Sequence, residues 1–368
     1  MALKRPQGPS GTLIVLEHTS NILKNNPLGD PHLRKLAVWL PPQYDQGGGG
    51  RRFPVLYDLV GFTGSGLAHT NWKPFGDNVP ERAARLIREQ KMGPAIFVFP
   101  DCFTALGGNQ YVNSSAIGNY ADYLTGEIVP FVDREFRTLA SRQHRGCFGK
   151  SSGGYGAILH GMKYPRTWGA VADHSGDAYF EFVYWHDWPN TLDELAKHRR
   201  PKRGSGAYDA RGESGRKGLA EGLDDGRIRR FLNQVWKKEK LTTGEGHCIM
   251  NLCMAATYDP DVTAPLGFRV PLNLESGEVI AQRWAKWRAH DPINLVAKYR
   301  DNLKSLSGIY IDCGWRDQYH IQYGARILSK RLALARIRHT YEEFDDAHSD
   351  VDYRMDRSLP FLYRALKP

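Results

Sequence analysis

The 368-residue chain has only five cysteines, Cys102, Cys147, Cys248, Cys253 and Cys313, scattered and odd in number. That excludes a disulfide framework and points to free thiols in a reducing compartment. No apolar run reaches the ~18 residues needed to span a bilayer. The opening residues, Met1 to Pro9, lack the apolar core of a secretory signal. A cytoplasmic protein with no membrane partner is therefore expected. A His-Glu-x-x-His motif is missing, and His247-Cys248 with Cys253 has no second Cys/His pair at zinc spacing, so these residues read as a buried apolar helix and no metal is expected.

Phosphate-binding loops are missing as well. Gly149-Lys150-Ser151 ends like a P-loop, but the glycine required upstream is His144. Ser214-Gly215-Arg216-Lys217 has the Ser-x-x-Lys spacing of β-lactamases without their companion motifs, and reads as chance. No organic cofactor is implied. The net charge of +10 is partly local, in Lys197-His198-Arg199-Arg200-Pro201-Lys202-Arg203. No helix-turn-helix, zinc finger or aromatic RNA-binding motif accompanies this run, so it reads as a solvated loop and no nucleic-acid partner is expected. The composition is compatible with a homo-oligomer.

Hydrophobic residues make up 41% and aromatics 11%, enough for one large α/β domain with an insertion. Residues 1–10 read as a disordered tail. Thr12 to Leu16 and Leu33 to Leu40 read as strands, and Gly47 to Gly50 with Arg51-Arg52 as a hairpin-like connection. Strands and helices then alternate: a strand at Pro54 to Val60, a helix at Val79 to Gln90, a strand at Ala95 to Phe99, a helix at Tyr120 to Phe136, and strands into Ser151 and through Trp168 to Asp173. The pattern predicts a mostly parallel central sheet covered by helices on both faces. It breaks over 177–290, read as a largely helical cap insertion, and resumes with a strand at Ser307 to Asp312, a helix at Ile321 to Ala335, a strand at Thr340 to Phe344 and a terminal helix. The catalytic domain is thus 11–176 with 291–368.

The most informative stretch is Gly149-Lys150-Ser151-Ser152-Gly153-Gly154-Tyr155-Gly156-Ala157, a G-x-S-x-G between a strand and a helix. Chance alone supplies about 0.2 such matches in a chain of this composition, so the surrounding pattern must decide. In a nucleophile elbow the flanking glycines let strand and helix approach while the serine stands exposed. A serine needs a base, and the base an orienting acid. Asp317 follows the Asp312 strand and is preferred to Asp312 as the acid; as a purely structural residue it would cap the next helix. His348 follows the Phe344 strand and is preferred to His174, His290 and His339 as the base. Gly61-Phe62-Thr63-Gly64 follows the Val60 strand, which suggests the backbone N–H of Phe62, paired with that of Ser152, as an oxyanion hole. Tyr179, Phe180, Tyr184, Trp185 and Trp188 could line an acyl or aryl pocket or simply pack the cap onto the body.

These segments resemble the esterase D/enterochelin-esterase-like putative esterases of the α/β-hydrolase superfamily. The resemblance rests on Val38 to Tyr44, Pro54 to Tyr57 with Gly61-Phe62, Phe99-Pro100-Asp101, the Tyr120-to-Thr138 helix, Gly149 to Ala157, Asp312 to Asp317, and His348. It implies an α/β-hydrolase fold with Ser151 as nucleophile, Asp317 as acid and His348 as base, acting on a small-molecule ester. The family often has a histidine where this chain has Val60, which puts the support of the oxyanion loop in question. The expected activity is a serine carboxylic-ester hydrolase working through an acyl-enzyme. An acyltransferase with the same triad, or a non-catalytic binding protein on this fold, are the alternatives.

Overall fold

In a computed structural model the protein is described over residues 10–46, 50–199 and 224–366. Eight strands form one sheet: β1 (Thr12–Thr19), β2 (Leu33–Leu40), β3 (Val55–Leu59), β4 (Ile96–Pro100), β5 (Arg145–Lys150), β6 (Ala170–His174), β7 (Gly308–Gly314) and β8 (Thr340–Phe344). Their order is β1-β2-β4-β3-β5-β6-β7-β8. β1 and β2 pair antiparallel, as do β2 and β4; every later pairing is parallel.

The inner parallel strands are largely apolar because both their faces are covered, whereas the edge strand β8, with Glu342 and Glu343, is half-exposed. Val55, Tyr57, Ile96, Val98, Cys147, Val171, Ile309 and Ile311 point into one core, which the helices Ser152–Lys163 and Ile321–Leu334 cover. The alternate residues Leu56, Phe97, Phe99, Phe148, Ala172 and Tyr310 point into a second core beneath Val79–Arg88 and Met355–Ala365. The first of those two helices starts in a capping box between Asn78 and Glu81, with Pro80 in its first turn, where a missing N–H costs nothing.

Two expected features differ. The connection from β2 to β3 is not hairpin-like, because β4 lies between those strands and pairs antiparallel with β2 and parallel with β3. Residues 47–49 of that connection lie outside the described residues, as do the expected tail through residue 9, the 214–217 stretch and residues 200–203 of the basic run. Within that run Lys197 pairs with Glu194 at 2.6 Å and Arg199 with Glu275 at 3.4 Å. The expected helix at Tyr120 to Phe136 is present and unbroken over Tyr120–Glu135, but its middle is π-helical at Tyr123–Ile128, between α-helical segments at Tyr120–Asp122 and Val129–Glu135. Pro130 explains the change. It has no N–H for the carbonyl four residues back, and the chain widens just before it, with Val129 N–H reaching Leu124 O.

Between β6 and β7 lie the helices Trp188–Ala196, Arg227–Val235, Thr243–Tyr258 and Ala281–Arg288. Cys248 and Cys253 are buried in the third of these, and all five cysteines are buried and unpaired. No helix among the described residues is long and apolar enough to cross a membrane.

Candidate active site

β5 ends at Lys150 and the next helix begins at Ser152, so Ser151 must turn the chain on a single residue. It does so at φ 59° and ψ −125°, a strained conformation for a residue with a side chain. The flanking glycines are sterically required. A Cβ on Gly149 would lie 2.1 Å from Leu59 O, and one on Gly153 1.7 Å from the same atom. The elbow is pinned from behind by Ser151 N–H donating to His174 O at 2.9 Å.

The loop after β3 lies against this turn: a Cβ on Gly61 would sit 3.3 Å from Lys150 O and 3.5 Å from Ser151 Cβ. Among the described residues neither Phe62 N–H nor Ser152 N–H has a hydrogen-bond acceptor, and both residues line the cavity that contains Ser151. The loop is held without a histidine at Val60. Tyr111 OH donates to Val60 O at 2.7 Å, Thr63 N–H to Gly107 O at 2.8 Å, and the Phe62 ring packs on Gly107 and Gly108.

The loops after β7 and β8 converge because β7 and β8 are adjacent. Trp315 N–H donates to Phe344 O, Arg316 N–H to Asp346 O, and His348 N–H to Gln318 Oε1. Asp317 and His348 meet there, with His348 Nδ1 2.7 Å from Asp317 Oδ2. The aspartate side chain is fully buried and its Oδ1 accepts from Tyr319 N–H at 2.9 Å, so it does not cap the following helix, which starts after His320. An ionised carboxylate only accepts, so Nδ1 carries the proton and Nε2 is the basic nitrogen. His348 and Ser151 line one cavity of about 270 Å³. Ser151 Oγ makes no hydrogen bond to His348 among the described contacts; such bonds commonly tighten only when substrate binds.

The rejected candidates have other occupations. Asp312 is 1% exposed and accepts from Tyr310 OH, from Arg354 and from His174 Nδ1 at 2.6 Å. His174 Nε2 lies 2.7 Å from Ser358 Oγ, giving a second Ser-His-Asp chain that is sealed in the interior. His339 bonds Ser329, and burial holds His290 down at about 4.

The aromatic run divides. Tyr184 lines the cavity, with its OH donating to Asp177 Oδ2 at 2.9 Å. Tyr179, Phe180, Trp185 and Trp188 are not brought to the cavity wall. Phe180 and Trp188 are buried, against Tyr258 at 5.0 Å and Trp287 at 5.8 Å between ring centroids. Trp185 packs on Trp284 and Tyr179 on Phe182. Phe180, Trp185 and Trp188 thus pack against rings of the inserted helices Thr243–Tyr258 and Ala281–Arg288, whereas Phe182, the partner of Tyr179, packs on Tyr323 of the helix Ile321–Leu334. Sequence reasoning missed Asp177, Val183, Met250, Tyr319 and Ile321 in the wall. Asp177 and Tyr319 had a signal, since each lies just past a strand ending at the same sheet edge. Met250 had none, because only the fold of the inserted segment brings it near Ser151.

A family model described as "putative esterase" matches residues 31–356. An esterase of Mycobacterium tuberculosis strain H37Rv is 33% identical over 148 residues, 38% of this chain and 28% of that protein. An uncharacterised protein of Bacillus subtilis is 25% identical over 158 residues, 40% of this chain and 58% of its own length. The aligned part is thus under two thirds of either relative. Among solved structures, a ferulic acid esterase superposes with a TM-score of 0.56 at 16% identity, covering 97% of this chain and 98% of the other. An S-formylglutathione hydrolase from Agrobacterium tumefaciens gives 0.55 at 17% identity, covering all of both chains. These likenesses show the fold, that of the α/β-hydrolases.

Proposed function

The chain belongs to the putative esterase family, and on that premise we propose that it is a serine carboxylic-ester hydrolase acting through an acyl-enzyme. His348 Nε2 takes the Ser151 Oγ proton as Oγ attacks the ester carbonyl. Asp317 holds the imidazole through Nδ1 and stabilises the imidazolium that forms. The carbonyl electrons move onto oxygen, and this oxyanion lies on the Phe62 and Ser152 N–H groups. His348 returns the proton to the departing alcohol. Water then repeats the cycle at the acyl-enzyme and releases the acid.

The observation that carries this reading is the strained, glycine-flanked Ser151 in one cavity with a histidine whose Nδ1 is committed to a buried aspartate. Residues 177–290 act as a cap over that cavity; Val183, Tyr184 and Met250 in its wall support this. The test is turnover of p-nitrophenyl acetate. Ser151→Ala should lose it to background while keeping the thermal unfolding midpoint, and unchanged turnover in that variant would sink the assignment.

A further inference from the structure

Asp177 has no role in the steps above, yet it stands in the same cavity. It follows β6 in Ser175-Gly176-Asp177 and is 5% exposed. Its Oδ2 accepts from Gln110 Nε2 at 2.7 Å and from Tyr184 OH at 2.9 Å. Its Oδ1 accepts nothing from the described residues and is not among the polar atoms sealed from solvent. One carboxylate oxygen is therefore fixed and the other open to the cavity.

The support is rigid. Gln110 is 1% exposed, and its Nε2 also reaches Tyr258 OH at 3.0 Å and Tyr184 OH at 3.2 Å. Gln110 and Tyr111 both hold positive φ, 54° and 56°, a strained pair of the kind that persists only where the surroundings enforce it. Burial pushes the Asp177 carboxyl up, while the Gln110 and Tyr184 bonds hold it down. A desolvated carboxylate with a vacant lone pair suits a hydrogen-bond donor on a bound molecule. Lys150 and His348 line the same cavity, and His348 becomes a cation during acylation. Lys150 Nζ is paired with Asp352 at 3.6 Å, and a neutral hydroxyl, unlike an ammonium, meets no repulsion as the His348 imidazolium forms.

Resting on the Ser151 reading, we propose that Asp177 Oδ1 is a specificity-determining acceptor for a hydroxyl group on the ester. The protein should prefer hydroxylated esters to shape-matched ones in which methyl or methylene replaces hydroxyl.

The test uses the full chain and acid release from two matched pairs. Ethyl 3-hydroxybutyrate against ethyl 3-methylbutanoate places the hydroxyl on the acyl side. 2-Hydroxyethyl butyrate against propyl butyrate places it on the alcohol side. In the unmodified protein kcat/KM should favour the hydroxylated member of one pair by roughly tenfold or more, the scale of a hydrogen bond to a charged group. In Asp177→Asn the amide oxygen must face Gln110 and Tyr184, so its NH2 replaces Oδ1. The ratio within that pair should then fall about tenfold, and reading the ratio cancels any general loss of activity. The proposal is overturned by equal rates within both pairs in the unmodified protein, which requires no variant to fold. It is also overturned by an unchanged ratio in Asp177→Asn, or by stronger preference for ethyl 3-aminobutyrate. If no ester is hydrolysed, or Ser151→Ala still hydrolyses them, the parent reading fails. If simple esters turn over through Ser151 without hydroxyl preference, only the role of Asp177 falls.

Discussion

Gly153 lies so close to Leu59 that a Cβ on it would fall 1.7 Å from the leucine carbonyl oxygen. The obstruction is backbone of β3, which cannot step aside as the tip of a flexible side chain could. Gly153→Ala should therefore push the elbow helix off the sheet, with the cost of an overpacked site, about 1–3 kcal/mol or more. The expected result is a lowered urea midpoint together with loss of most ester turnover. Native stability in that variant would show that the elbow is looser than drawn.

The His348–Asp317 pair predicts an effect on rate with little on fold. Asp317→Asn keeps the shape but offers an amide where His348 Nδ1–H needs an acceptor, favouring the wrong tautomer. A kcat loss on the order of 10⁴-fold is expected for such a change in a serine triad. Steady-state kinetics beside a thermal melt check it: a drop below tenfold would remove Asp317 from the triad.

Ser358 offers the contrasting case. It completes a Ser-His-Asp chain with His174 and Asp312, but it is wholly buried, so no ester reaches it. Ser358→Ala should leave p-nitrophenyl acetate turnover within a few fold. It strands His174 Nε2, and the cost in urea-unfolding free energy should be roughly 1–3 kcal/mol.

His160 sets an acid limit on stability. Burial pushes it down to about 4, against its hydrogen bond to Tyr111 O at 2.8 Å. Trp168 Nε1–H donates to its Nδ1, so the proton lies on Nε2 and the folded ring is neutral. The unfolded histidine takes up a proton near 6.5. Between about pH 6.5 and 4 the unfolded state therefore binds more protons, and stability falls as pH drops through that window. This group contributes on the order of 3 kcal/mol to the fall. In His160→Gln, the difference between urea-unfolding free energies at pH 7 and pH 4.5 should shrink.

The alternation of apolar strands with amphipathic helices was legible because a parallel strand covered on both faces is apolar throughout. The elbow was legible for a steric reason, since only glycine tolerates the approach of Gly149 and Gly153 to Leu59. Strand adjacency was not. Leu33–Leu40 and Val55–Leu59 are consecutive strands in the chain, yet β4 separates them, and nothing local to either strand encodes that. The π turn before Pro130 was hidden because the apolar spacing of Tyr120, Leu124 and Ile128 is that of an ordinary helix.

By itself, the chain's order of residues determined the alternating α/β layering and the placing of Ser151, Asp317 and His348 just past the ends of strands. Each depends on short-range patterning and on backbone sterics. Tertiary structure alone decided which groups share a cavity. Among the described residues four histidine–aspartate pairs, His69–Asp58, His174–Asp312, His247–Asp187 and His348–Asp317, have the same composition and similar contact distances. Only the last has its histidine in the cavity of Ser151. The aromatic run likewise looked alike from Tyr179 to Trp188, but packing buried Phe180 and Trp188 among distant rings, left Tyr179 and Trp185 half-buried away from the cavity, and set Tyr184 in the cavity wall to hold Asp177. Such choices rest on contacts between residues far apart in the chain, which periodicity cannot carry.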